Sequence, residues 1–207
     1  MKLAKLLSGS VAALSLLVVS AQVSRADIIP YPNIGTVNAT TYTFTAVSTG
    51  NVMAYFAGAS AGYTEEIGLL VNGVSTGIFG LNNHTSTVGQ SLDLGFVHAG
   101  DTLTFVDKIL TTGGSWYSNP ALNSDGINHV YSTPYSGVLF DHSIPSGIYV
   151  GFEDLPLGKS DLDYNDVTFV FTDVSTGGGT PEPSFLSLLC AGFVGLGVVA
   201  YRRRRSA

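Results

Sequence analysis

The sequence predicts an all-β fold: a single antiparallel β-sandwich or jelly-roll-like domain, with a signal helix before it and a transmembrane helix after it. Between residues 36 and 174, polar and apolar side chains alternate with a period of two rather than 3.6. The alternating segments are rich in Thr, Tyr, Phe and Val, and Gly, Asn and Asp separate them. No segment of this region has the pattern of a long amphipathic helix.

Eight segments are expected as strands of this domain. Asn72-Gly73 lies between two of them and predicts a two-residue hairpin, since both residues tolerate the positive φ angles of a type I′ turn. Ala99-Gly100-Asp101 marks a second tight turn. In chain order, the expected strands are residues 41–47, 51–56, 67–71, 74–79, 91–97, 102–106, 148–152 and 167–171, within an exported domain at residues 27–175.

The N-terminus has the three parts of a secretory signal peptide. Lys2 and Lys5 supply the positive charge, residues 6–19 form the apolar region, and Ser24-Arg25-Ala26 is a small-x-small cleavage site. Residues 1–26 are therefore expected to be read by the Sec translocon and removed by signal peptidase. A core helix of similar length is the alternative, but the charges and the cleavage triplet oppose it.

The C-terminus predicts a short membrane segment behind a flexible linker. Residues 176–180 are glycine-rich, and the apolar run 185–201 covers about 25 Å as a helix, slightly less than a hydrocarbon core of about 30 Å. This length suits a transient span better than a durable tail anchor, which is the alternative. The basic stop Arg202, Arg203, Arg204, Arg205 marks the cytoplasmic end.

This tail (residues 181–207) resembles the PEP-CTERM sorting signal of bacterial envelope proteins. The residues that carry the resemblance are Pro181, Glu182 and Pro183, followed by the apolar run and the four arginines. Thr180 stands where many members have a small aliphatic residue. The resemblance implies cleavage near the motif by an exosortase. We then expect export across the inner membrane, transient membrane anchoring, and release to the cell surface or extracellular space.

Without its two ends, the exported chain is strongly acidic. Residues 27–180 hold two basic residues, Lys108 and Lys159, against fourteen Asp and Glu, which is a net charge of −12, compared with −6 for the whole chain. This charge excludes nucleic acid as a partner and favours divalent cations. The only cysteine, Cys190, lies in the tail, so a disulfide cannot stabilise the exported domain.

One acidic loop is the predicted metal-binding site. Residues 153–166, between the last two expected strands, contain five carboxylates, and Asp161, Asp163 and Asn165 alternate along the chain. Hard oxygen ligands on a glycine-containing loop suit Ca²⁺, which accepts six to eight oxygens in irregular geometry. The loop is not an EF-hand, because Asp166 stands where that motif needs glycine and no helices flank it. A solvated acidic loop is the alternative, but the interleaved Phe152, Leu155 and Tyr164 predict that the loop packs onto the domain.

The same region resembles a domain-of-unknown-function family that occurs in exported PEP-CTERM proteins and in repeat-containing surface adhesins. The matching segments are residues 151–156, 161–166 and 124–129, while Lys159-Ser160 replace a glycine and another residue of many members. The resemblance implies a β-rich, Ca²⁺-binding extracellular module. By position it implies these metal-site residues: Glu153, Asp154, Asp161, Asp163, Asn165 and Asp166, with Asp125 and His129 in support.

The function expected from these patterns is an exported, non-catalytic, Ca²⁺-stabilised surface or extracellular-matrix module of the biofilm or adhesion type. Its expected partners are the exosortase, exopolysaccharide and other matrix proteins. One alternative is a carbohydrate-binding module for exopolysaccharide, although core packing is favoured for the aromatic cluster it would use. A less favoured alternative is a glycosidase using two of the clustered carboxylates, which needs them to face each other across a cleft.

Of the four histidines, three are expected at the surface, and His129 is expected to bond a loop carboxylate or carbonyl. The aromatic cluster is Trp116, Tyr117, Tyr131 and Tyr135, and the histidines are His84, His98, His129 and His142.

Overall fold

The computed structural model describes residues 29–177, and the predicted signal peptide and sorting tail lie outside these residues. The described chain forms eleven strands and two short 3₁₀ helices, Pro120–Leu122 and Phe140–His142. The strands are β1 Thr43–Ala46, β2 Gly50–Ala59, β3 Glu65–Val71, β4 Val74–Gly80, β5 Ser91–Val97, β6 Thr102–Ile109, β7 Gly114–Tyr117, β8 Val130–Tyr135, β9 Gly147–Phe152, β10 Val167–Thr172 and β11 Val174–Gly177.

The strands form two antiparallel sheets, so the predicted all-β, sandwich-like fold is confirmed at this level. In sheet A the order is β11-β1-β6-β3-β4, and β7 pairs with the second half of β6. In sheet B the order is β5-β2-β10-β9-β8. Because β9 and β10 are antiparallel neighbours inside sheet B, the loop that joins them leaves from one end of that sheet.

The hairpin predicted at Asn72-Gly73 is present. Val71 pairs with Val74, and the two turn residues have φ angles of 50° and 82°, as a type I′ turn requires. All eight expected segments overlap strands. The expectation omitted β7, β8 and β11, because two of these have only four residues and β8 contains Pro134. Proline is tolerated in β8 since this strand lies at the edge of sheet B.

Aromatic side chains from both sheets form the core between them. Phe105 of sheet A stacks on Phe171 of sheet B with ring centroids 3.7 Å apart, and Phe44 meets Phe105 edge-on at 5.1 Å. All three are at most 1% exposed. Burial of side chains of this size contributes about 1.5–3 kcal/mol each, so the apolar contact between the sheets is the main stabilising interaction of the fold.

The last strand extends two residues beyond the expected end of the domain at residue 175. β11 pairs with β1 through Gly177, so it includes the first two residues of the segment expected as a linker, whose remaining residues 178–180 lie outside the described chain. Within residues 29–177, no helix is long and apolar enough to cross a membrane. The expected apolar helix at 185–201 falls beyond this range.

The connection from β9 to β10 lies directly against β9. Gly151, the fifth residue of β9, faces the carbonyl oxygen of Tyr164, and a Cβ atom at this position would stand 2.1 Å from that oxygen. Such a separation is too short for any non-bonded contact, so glycine is required for the loop to approach the sheet. The close approach places residues 153–166 over one end of the sandwich.

We therefore expect Gly151→Ala to destabilise the domain by displacing the loop backbone. Overpacking of this kind costs about 1–3 kcal/mol, which urea unfolding of residues 27–180 would measure. Gly50→Ala is the control, since a Cβ at Gly50 meets nothing within 4 Å, and its free energy of unfolding should change by less than about 0.5 kcal/mol. Equal effects of the two substitutions would contradict the role assigned to Gly151.

Candidate functional site

Tyr164 anchors the acidic loop in the protein interior. Its side chain is fully buried, and its hydroxyl accepts a hydrogen bond from the backbone N–H of Asn38 at 2.8 Å and donates to the carbonyl of Asn128 at 3.3 Å. The ring of Tyr31 meets it edge-on at 4.7 Å. The loop is therefore packed onto the domain, as the interleaved apolar residues predicted, and it is not a solvated turn.

The loop backbone turns sharply around its acidic residues. Leu162 and Tyr164 both have a φ angle of 56°, a left-handed conformation that costs about 1–3 kcal/mol for residues with a Cβ. The backbone N–H of Tyr164 donates to Oε1 of Glu153 at 2.5 Å. Together with the burial of Tyr164, this bond holds the turn and orients the Glu153 carboxylate toward the loop.

The turn brings three predicted residues together as an outer cluster: Glu153, Asp161 and Asp163. One carboxylate oxygen from each lies within 4.8 Å of the others. Glu153 is 1% exposed, Asp163 is half-buried, and Asp161 reaches the surface. The hydroxyl of Ser160 donates to Glu153, and the side-chain amide of Asn165 donates to Asp163. Three oxygens at this spacing can contact one cation.

Crowding of negative charge alters the acidity of this cluster. Burial raises the pKa of Glu153, and the charges of Asp161 and Asp163 add to the effect, while hydrogen bonds from Ser160 and Tyr164 oppose it. Burial also raises the pKa of Asp163, followed by the charge of Asp161. These carboxylates are therefore held near one another against their mutual repulsion.

His129 and Asp125 support the loop from the strand side. Nδ1 of His129 lies 2.9 Å from the carbonyl oxygen of Glu153, and Nε2 lies 3.1 Å from Oδ2 of Asp125. The indole ring of Trp116 stacks on the imidazole at 3.7 Å, and its N–H donates to the carbonyl of Asp154 at 2.7 Å. His129 thus makes bonds to a loop carbonyl and a carboxylate, as expected, and positions the chain at residues 153–154.

The hydrogen bonds around Asp125 keep it ionised. Partial burial acts to raise its pKa, but the bond from His129 and the backbone N–H groups of Leu157 and Ile127 outweigh burial and lower the pKa below its ordinary value. Asp125 is therefore saturated by donors within the domain. Its role in this structure is to hold His129 and the loop backbone at Leu157.

The remaining two predicted acids face a different group. Asp154 and Asp166 lie beside Glu65 of β3 and Asp107 of β6, and all four carboxylates interact electrostatically. We call these four residues the inner cluster. The backbone N–H of Asp154 donates to Oδ2 of Asp166 at 2.8 Å, which ties the two ends of the loop together. The six residues predicted as one site are thus divided, with Asn165 adjoining the outer cluster.

Sequence reasoning missed Glu65 and Asp107, although a signal was present. Along β6, Asp107 has the same phase as the buried Leu103 and Phe105, and along β3, Glu65 has the phase of Ile67. Both acids are 0% exposed. A carboxylate at a core-facing position of an apolar strand is unusual, but the expected strands ended at Val106 and began at Ile67, so neither acid was included.

The inner cluster has the larger shifts in acidity. Burial is the main cause that raises the pKa of Glu65 to about 11, and Asp107, Asp154 and Asp166 add to it. Burial likewise raises the pKa of Asp107 well above its ordinary value and that of Asp166 to about 8. In the part of the chain described, ion pairs involve histidine alone, at His98 and His129. Neither Lys108 nor Lys159 offsets this buried negative charge.

The other candidate groups are separated from these clusters or buried. Trp116 and Tyr135 are 8% and 4% exposed, and they lie on strands of different sheets. These two rings therefore pack in the interior, while Tyr117 and Tyr131 are half-buried. His84, His98 and His142 are exposed, as expected for three of the four histidines.

A sequence model of one known family matches this region. The family is described as "Domain of unknown function (DUF4114)", and the match covers residues 60–173, which include both carboxylate clusters and the supporting His129. No curated protein matches the chain, and no solved structure matches it.

The raised pKa values predict that the cation-free domain loses stability as the pH rises. A carboxyl whose pKa is higher in the folded state than its ordinary 4.5 or 3.8 stabilises the fold below that ordinary value, and this contribution is lost as pH rises toward the folded value. In EDTA, stability should therefore fall between about pH 5 and pH 8, by up to about 1.4 kcal/mol per pH unit for each retained proton. Thermal melts monitored by circular dichroism would measure this fall. A melting temperature that rises across the same window would contradict the assignment.

Proposed function

The chain belongs to the DUF4114 family, and we propose that its exported domain is a non-catalytic, Ca²⁺-stabilised module of the cell surface or extracellular matrix. The observation that carries this proposal is the convergence of Glu153, Asp161 and Asp163, whose oxygens lie within 4.8 Å of one another. The cation is assigned to the outer cluster, on a loop that the fold holds in place through Tyr164.

The chemistry of the outer cluster favours Ca²⁺ over other common metals. All three ligand side chains supply carboxylate oxygens, and neither histidine nor cysteine joins them, which disfavours zinc. The left-handed turns at Leu162 and Tyr164 produce an irregular arrangement, which Ca²⁺ accepts more readily than Mg²⁺. The neighbouring Ser160 and Asn165 donate hydrogen bonds to Glu153 and Asp163, which orient these two carboxylates within the loop.

A structural role for the cation is consistent with the composition of the exported domain. Residues 27–180 contain no cysteine and carry a net charge of −12, so neither disulfides nor basic residues stabilise the acidic end. A bound cation offsets the repulsion and links Glu153, at the end of β9, to Asp161 and Asp163 further along the loop. Extracellular Ca²⁺ at millimolar levels is sufficient for sites of modest affinity.

The placement of the carboxylates disfavours the glycosidase alternative. Glycoside hydrolysis needs two carboxyl groups about 5–9.5 Å apart on opposite sides of a bound sugar. The outer carboxylates lie on one loop and converge on one point, while Glu65 and Asp107 are 0% exposed and out of reach of a polymer. We therefore assign the acids to cation binding and the domain to a scaffold role.

Delivery to the surface is proposed from the two ends of the sequence. The signal peptide at 1–26 directs export, and the tail with Pro181, Glu182 and Pro183 directs recognition by an exosortase. The apolar run 185–201 holds the chain in the inner membrane until cleavage. Matrix exopolysaccharide or other matrix proteins are the proposed partners of the released domain.

Calcium should raise the melting temperature of residues 27–180. With Kd in the extracellular range of about 10⁻⁴–10⁻³ M, a hundredfold excess of Ca²⁺ over Kd adds about 2.7 kcal/mol, or about 5–10 °C for a domain of this size. Asp161→Asn with Asp163→Asn should remove this contribution, as followed by calorimetry with Ca²⁺ or EDTA.

The matched control for that pair is Glu66→Gln with Asp141→Asn, which removes the same charge from residues outside both clusters and should leave the calcium response intact. If the wild-type melting curve does not move with Ca²⁺, or the Asp161/Asp163 variant keeps the whole shift, calcium binding at the outer cluster is wrong.

Sorting should depend on the Pro-Glu-Pro motif. Glu182→Ala, or deletion of the exosortase, should leave uncut protein in the inner-membrane fraction, because the apolar run would no longer be removed. Fractionation and mass spectrometry of the C-terminus would detect the uncut form. Glu66→Ala, the same change within the exported domain, should be processed normally. An intact tail in the released wild-type protein would show that this sorting route is not used.

A further inference from the structure

Two strands of sheet A direct carboxylates into the same end of the core. In the pairing of β3 with β6, Glu65 lies opposite Ile109 and Ile67 lies opposite Asp107, so the two acids are diagonal neighbours on one face. That face is the core face, because Ile67, Leu69 and Phe105 share its phase and are fully buried. The apolar stripe of sheet A therefore ends in two acids.

Neither carboxyl group of this pair accepts a hydrogen bond from a donor of the protein. Oδ1 and Oδ2 of Asp107 are buried and accept no hydrogen bond. Oε1 and Oε2 of Glu65 are buried and accept none either, and the side chain that Glu65 does bond is another acid, Asp154. The backbone around Glu65 is fully bonded by comparison, since its N–H donates to Oδ1 of Asn83 at 3.0 Å. Most buried polar groups in native proteins are hydrogen-bonded, so the two unpartnered oxygens of Asp107, beside a Glu65 that bonds another acid, indicate a ligand.

Sheet B completes the group through the two ends of the acidic loop. Asp154 lies two residues after β9, and Asp166 immediately precedes β10. Both line a cleft of about 300 Å³, together with Gly62, Tyr63 and Leu155. The cleft opens to the surface, so a small ion can reach the carboxylates of Asp154 and Asp166, behind which Glu65 and Asp107 are buried.

The donor set selects a hard divalent cation. Four carboxylates and no nitrogen or sulfur ligand favour Ca²⁺ or Mg²⁺ over zinc and copper. Among residues 29–177, the outer cluster is the group in which three acid oxygens all lie within 4.8 Å of one another, so the four inner acids are less tightly gathered around one point. The larger, irregular oxygen shell of Ca²⁺ suits such an arrangement better than the strict octahedron of Mg²⁺.

We propose that Glu65, Asp107, Asp154 and Asp166 form a second Ca²⁺ site that joins the two sheets at one end of the sandwich. Two of its ligands come from sheet A and two from the loop of sheet B, so the cation crosslinks the layers where the apolar core ends. This second site extends the calcium role given under the proposed function. It lies at the same end of the domain as the outer cluster but shares no residue with it.

The test compares calcium stoichiometry in three matched variants of residues 27–180. Equilibrium dialysis against Ca²⁺ would count bound ions in the wild type, in Glu65→Gln with Asp107→Asn, in Asp161→Asn with Asp163→Asn, and in Glu66→Gln with Asp141→Asn. The Glu65/Asp107 variant should lose the inner ion and keep the outer one. The Asp161/Asp163 variant should lose the outer ion and keep the inner one. The Glu66/Asp141 control should match the wild type. Mg²⁺ at equal concentration should displace little of the bound Ca²⁺.

The outcomes separate the two sites. If the Glu65/Asp107 variant binds as much calcium as the wild type while the Asp161/Asp163 variant binds less, the second site is wrong and the outer site stands. If only the Glu65/Asp107 variant loses calcium, the outer site is wrong. Displacement of the inner ion by Mg²⁺ would overturn its assignment to Ca²⁺.

Hydrogen exchange gives a readout that does not depend on the Glu65/Asp107 variant being folded. In the Asp161/Asp163 variant, added Ca²⁺ should slow exchange of the amides of β3 and β6 around Glu65 and Asp107. Unchanged exchange there would overturn the second site.

Melting in EDTA tests whether Glu65 and Asp107 have a purely structural role instead. The Glu65/Asp107 variant has neutral amides in place of the buried acids, so without calcium it should be at least as stable as the wild type. Equal destabilisation with and without calcium would indicate a purely structural role.

Discussion

Negative charge is concentrated at one end of this sandwich without lysine or arginine to balance it. Glu65, Asp107, Glu153 and Asp154 are each at most 5% exposed, and no basic side chain other than His129 forms an ion pair there within residues 29–177. Charges buried in this way are strongly unfavourable unless protons or cations accompany them. The stability of this end of the domain, and its response to pH and calcium, both depend on how that charge is neutralised.

The rest of the fold holds the acids in place despite their repulsion. The apolar contact between the sheets, centred on Phe105 and Phe171, provides a rigid support on which the β9–β10 loop rests. Tyr164 extends from the loop into that support, and Gly151 lets the loop backbone lie against β9. The loop is thus held in one conformation, because buried contacts offset the backbone strain at Leu162 and Tyr164.

Two cations with different surroundings would serve this architecture in different ways. An ion in the outer cluster links parts of one loop and exchanges with solvent through the exposed Asp161. An ion in the inner cluster links sheet to sheet and is reached through the cleft beside Tyr63. Residues 29–177 contain no cysteine, so calcium bound at these sites would take the stabilising place that disulfides have in other cation-poor domains.

The sequence by itself determined the fold class, most strands, the Asn72-Gly73 hairpin and the acidic loop, because alternation and turn chemistry are local properties. It also showed that the loop packs onto the domain, through Tyr164. Only the tertiary structure decided which acids meet. Residues 153–166 form one run in sequence, but the left-handed turns divide their side chains between two clusters. Glu65 and Asp107 join the inner cluster through strand pairing between segments about forty residues apart, and pairing register is not visible in a single sequence.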